Sequence, residues 1–134
     1  MKNKFRLAFL LAAFLAISAV GASAQNMANT VKTVNVKFAP GRNQTTLRGA
    51  ASYAMSYVYK FKVKKGQTIA VKADSKEPEL TFSVFSPKAD ADPLASMVKD
   101  WSGEAADAGT YSITLVMNNE KAKRVPYNLS IKIR

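Results

Sequence analysis

Five segments between residue 57 and the C-terminus place an apolar side chain at every second position. Tyr57, Tyr59, Phe61 and Val63 share one face, with Lys60 and Lys62 on the other. Ile69, Val71 and Ala73 follow, then Leu80, Phe82 and Val84, then Tyr111, Ile113, Leu115 and Met117, and finally Tyr127, Leu129, Ile131 and Ile133. A period of two puts alternate side chains on opposite faces of an extended chain, so each segment is expected to be an antiparallel strand with one buried and one wet face. Val34, Val36 and Phe38 predict a shorter first strand, and Thr45 to Ala51 a weaker second one.

The punctuation between these runs is that of turns. Lys64-Lys65-Gly66-Gln67 is expected to close a hairpin, and Pro40-Gly41 and Asp107-Ala108-Gly109 mark further turns. No segment beyond the N-terminal 24 residues carries a helical stripe, and only Pro93 to Lys99 could form a single helical turn. Seven or eight short strands at this spacing predict an all-β antiparallel sandwich, or a jelly roll, in one domain.

Composition removes several functions. The 134-residue chain contains neither cysteine nor histidine. Disulfides, thiolate nucleophiles, histidine-based triads and ordinary zinc sites are therefore excluded. No G-x-S-x-G elbow is present. Asp74, Glu77 and Glu79 form one acidic group and Asp90 and Asp92 another, but Lys76 and Lys88 interrupt them and neither has EF-hand spacing. The expectation is a protein without catalytic activity, metal or cofactor.

The N-terminus has the form of an export signal. Lys2, Lys4 and Arg6 precede an apolar run from Leu7 to Val20, followed by Ala22-Ser23-Ala24. That run has 14 residues, against roughly 20 needed to cross a bilayer. Residues 1–24 are thus expected to be a signal peptide cleaved near Ala24, residues 25–32 a flexible leader, and residues 33–134 the sandwich. The mature protein would be periplasmic or secreted and would not span the membrane. A chain of that size buries roughly 60–70% of its unfolded surface, enough for a core without disulfides.

Charge is unevenly distributed. Without the leader's three basic residues, 17 Lys and Arg face nine acids, a net charge of +8. Residues 25–73 hold nine bases and no acid, residues 74–107 have a net charge of −5, and residues 108–134 a net charge of +4. Such a field could orient an anionic partner, although lysines on outer strand faces also serve solubility and keep sheet edges unpaired. Export argues against nucleic acid as that partner.

The sequence from Gly109-Thr110-Tyr111 to Leu115, followed by Tyr127 to Ile131, looks like the closing hairpin of pre-peptidase C-terminal-type β-sandwiches. A broader match covers nearly the whole mature chain. Val34-Asn35-Val36-Lys37-Phe38 with Pro40-Gly41, then Gly49, Tyr59-Lys60-Phe61, Lys64-Lys65-Gly66-Gln67, Ser102-Gly103, Ala108-Gly109-Thr110-Tyr111 and Tyr127 to Ile133 resemble the periplasmic inhibitors of g-type (goose-type) lysozyme. The resemblance implies a small secreted β-sandwich that occludes the cleft of a lysozyme.

In that family, arginines between the last two strands contribute to inhibition. The corresponding loop here runs Asn118-Asn119-Glu120-Lys121-Ala122-Lys123-Arg124-Val125-Pro126, a shorter loop whose single arginine is Arg124. Lys121, Lys123 and Arg124 are the expected partner-binding residues, with Asn118 and Asn119 shaping the turn. The alternative is an ordinary solvated hairpin tip. Tyr53 could anchor a partner, or Tyr53 and Met55 could pack in the core. Trp101 could stack on a sugar, or fill the interior. The partner expected from the resemblance is g-type lysozyme. A module binding carbohydrate or envelope polymer, without inhibitory activity, is the alternative function.

Overall fold

The computed structural model describes residues 30–134. Among these residues there is no helix, and nine strands form two sheets. They are β1 (Thr30–Asn35), β2 (Gln44–Ala51), β3 (Met55–Val63), β4 (Thr68–Asp74), β5 (Leu80–Phe85), β6 (Ala95–Val98), β7 (Asp100–Glu104), β8 (Gly109–Met117) and β9 (Val125–Ile133). One sheet has the order β1-β3-β8-β5-β6, the other β2-β9-β4-β7. All pairings are antiparallel except β1 with β3. The all-β sandwich expected from the alternation is the fold observed.

The alternating residues meet in the middle. Tyr57, Tyr59, Phe61 and Val63 of β3, Tyr111 to Met117 of β8 and Leu80 to Val84 of β5 face Ile69 to Ala73 of β4 and Tyr127 to Ile133 of β9 across one core. No polar or charged residue belongs to that core among the described residues. Stability therefore comes from apolar burial, at roughly 25 cal/mol per Å², and from close packing between the two inner faces.

Several local expectations are corrected. The Lys64–Gln67 segment is a turn, with Gln67 N–H donating to the Lys64 carbonyl over 3.2 Å and Gly66 at φ +87°. It is not a hairpin, because β3 and β4 lie in different sheets. The same holds for β8 and β9, so the Asn118–Arg124 loop crosses between sheets rather than capping a hairpin. Alternation shows which face is buried but is the same for strands that pair and strands that stack.

The first strand begins earlier than its apolar residues suggest. Thr30, Val31 and Lys32 pair with Met55, Ser56 and Tyr57, so these three residues of the expected leader belong to β1. As an edge strand β1 is solvated on most of its surface and carries little hydrophobic signal. The signal segment, 1–24, lies outside the described residues. Pro93 to Lys99 contains strand β6 instead of a helical turn, because the open edge of β5 pairs with Ala95 and Val98. Trp101 of β7 lies opposite Val71 and is half-buried against the core margin, its ring lying over Gly103.

Candidate functional site

Sheet register decides which loops meet. Ala51 at the end of β2 pairs with Val125 at the start of β9, and Ser56 of β3 pairs with Val116 near the end of β8. The β2–β3 turn and the β8–β9 loop therefore sit at the same end of the sandwich. The β4–β5 connection joins them, with Asn118 N–H donating to the Glu79 carbonyl over 3.2 Å. Three of the molecule's connections form one rim.

Within this rim the expected residues occupy distinct places. Tyr53 is 50% exposed on the β2–β3 turn, which excludes core packing for it, while Met55 is half-buried against the core. The turn is tight: Met55 N–H donates to the Ser52 carbonyl at 3.3 Å, and Ala54 adopts φ +67°. Asn119 organises the β8–β9 loop, its Oδ1 accepting from Lys121 N–H at 3.0 Å and its carbonyl from Ala122 N–H at 3.2 Å. This side-chain-capped turn is a typical use of asparagine. Ala122 packs half-buried against the core and ties the loop down. Asn118, Lys121, Lys123 and Arg124 are exposed.

The rim is not uniformly basic. Asp74, Glu77, Glu79 and Glu120 lie on the same connections as Lys76 and the loop cations. Lys99 reaches across to donate to the Glu77 carbonyl at 2.8 Å. Among the described residues no three acidic side chains converge as a metal-binding group.

Arg124 links this rim to a cleft that sequence reasoning missed. The two sheets part between edge strands β1 and β2, leaving a cavity of about 470 Å³. Arg124, Arg48 and Lys32 line it, as do Tyr57, Tyr59 and Tyr127. Tyr127 projects over Gly49, where a Cβ would come within 2.5 Å of the tyrosine hydroxyl. The hydroxyls of Tyr59 and Tyr127 hydrogen-bond to each other, and Tyr57 donates to the Ala50 carbonyl at 2.9 Å. Tyr57 and Tyr127 also meet edge to face at 6.0 Å between centroids.

Burial pushes the Tyr59 and Tyr127 hydroxyls above the usual tyrosine range, and for Tyr127 the hydrogen bond to Tyr59 adds to the effect. Both stay protonated at neutral pH. The signal for the cleft was in the sequence, as Gly49 and the paired tyrosines. Both also fit plain core packing, and only the sheet edges reveal an opening.

No protein-family model matches the chain, and neither does any curated protein sequence. Solved structures do. The crystal structure of Aeromonas hydrophila PliG, a periplasmic lysozyme inhibitor of g-type lysozyme, is 27% identical with a TM-score of 0.68, covering 78% of this chain and 98% of that one. PliG from Salmonella Typhimurium, described in the same terms, is 23% identical at TM-score 0.61, covering 77% and 98%. The pre-peptidase C-terminal domain of a Bacillus anthracis collagenase is 15% identical at TM-score 0.58, covering 78% and 96%, and shares the fold alone. These neighbours match the families that the sequence resembles.

Proposed function

We propose that this protein is a non-catalytic periplasmic inhibitor of a g-type lysozyme, acting through the rim formed by the β2–β3 turn and the β8–β9 loop. The observation that carries the reading is the convergence of an exposed Tyr53 and a basic Lys121–Arg124 segment at one end of the sandwich. The PliG neighbour at 27% identity, matched over 98% of its length, supports it.

The chemistry is complementary. Lysozyme clefts hold carboxylates that act on the glycosidic bond. Lys121, Lys123 and Arg124 would pair with them and exclude substrate and water. Arg124 is best suited, since a guanidinium binds a carboxylate at two points where an ammonium acts as a single charge. Tyr53 supplies apolar contact area beside these charges, as aromatic anchors at interfaces do. Asn118 and Asn119 hold the loop in shape, so little order has to be gained on binding.

A turbidity assay of bacterial wall lysis by g-type lysozyme tests this reading. Micromolar mature protein should suppress clearance, and undiminished lysis would overturn it.

A further inference from the structure

The cleft between β1 and β2 has a chemistry of its own. Tyr59 and Tyr127 are 5% and 3% exposed, and both border the cavity. Two hydroxyls carry two protons. One is used in their mutual hydrogen bond, and the hydroxyl that accepts it keeps its own. That second proton makes no further hydrogen bond to another side chain or carbonyl of the described residues, and both side chains line the cavity, where a ligand oxygen can accept it.

The remaining lining narrows the class of ligand. Lys32, Arg48 and Arg124 stand around the cleft, and its lining contains no carboxylate. Val34, Leu47 and Met55 provide apolar wall between the cations and the tyrosines. Cations alone would suit any small anion, and hydroxyl donors with apolar wall would suit any sugar. The combination, in a volume of about 470 Å³, fits a ring that bears both hydroxyls and a negative charge. That volume lies within the usual range for small-molecule sites.

We infer that this cleft is a binding site for a carboxylated monosaccharide unit, free or at the end of a polymer. The carboxylate would lie among Arg48, Arg124 and Lys32, and a ring hydroxyl would accept the spare Tyr59–Tyr127 proton. The site needs no lysozyme and goes beyond the inhibitor reading.

Titration of the isotope-labelled mature protein, followed by amide shifts of Gly49 and Tyr127, tests the site without any lysozyme. The probes are D-glucuronate, D-glucose and acetate. Glucuronate should saturate with a dissociation constant of about 1–10 mM, and glucose and acetate should each bind at least tenfold more weakly. Arg48→Gln should cost glucuronate about fivefold or more and leave glucose unchanged. Tyr59→Phe with Tyr127→Phe should abolish the shifts while the core remains folded. Should that double variant fail to fold, Arg48→Gln on exposed β2 still decides the matter. Acetate or glucose binding as well as glucuronate, an Arg48→Gln variant equal to wild type, or no saturable shift would each overturn the assignment.

Discussion

Gly49 and Tyr127 depend on each other at a cross-strand pair of β2 and β9. The ring of Tyr127 occupies the space that a side chain at position 49 would fill. Gly49→Ala should therefore displace the ring and lower unfolding free energy by about 1–3 kcal/mol, the usual cost of overpacking, as measured by urea denaturation. The paired hydroxyls predict a pH response as well. Burial first, and hydrogen bonding for Tyr127, raise their folded-state pKa values above the ordinary 10.0. The folded chain thus holds protons that the unfolded chain releases near pH 10. Their contribution is fully present below that pH and falls above it, by up to about 1.4 kcal/mol per pH unit for each tyrosine. Thermal melts from pH 8 to 11.5 should show a steeper alkaline decline in wild type than in Tyr59→Phe/Tyr127→Phe.

At the level of elements, β9 lies between β2 and β4 and contributes the fully buried Leu129. Leu129→Ala should destabilise by about 2–5 kcal/mol, visible in the urea midpoint, whereas the exposed loop residues should leave it unchanged. The strands of greatest burial, β3, β4, β5, β8 and β9, were legible from alternation because each buries a complete face. Of the edge strands, β2 was legible from Thr45 to Ala51, but β6, β7 and the start of β1 were not. The N-terminal half of β1 is exposed, β6 is four residues long, and β7 buries little. The pattern that sets such strands is the unpaired neighbour already in place, which no local window contains. Sheet membership was equally hidden, which is why the Lys64–Gln67 and Asn118–Arg124 connections looked like hairpins. The basic loop could be found from charge, but its meeting with Tyr53 depends on the register of β2 against β9 and of β3 against β8.

For the molecule as a whole, stability and recognition draw on different forces. The core holds no charged residue, and the single ion pair among the described residues, Lys88 with Asp107 at 3.6 Å, is exposed. Exposed pairs contribute little and are screened by salt. Raising NaCl from about 50 to 500 mM should leave the melting temperature nearly unchanged but weaken capture of lysozyme about tenfold, because steering and pairing by the rim cations are screened. The most direct test of the account is calorimetric titration of g-type lysozyme with the mature protein and with a Lys121→Ala/Lys123→Ala/Arg124→Ala variant of equal melting temperature. The account predicts a one-to-one complex for the wild type and at least a hundredfold loss for the variant. Equal affinity of the two proteins, or no complex with either, would contradict it.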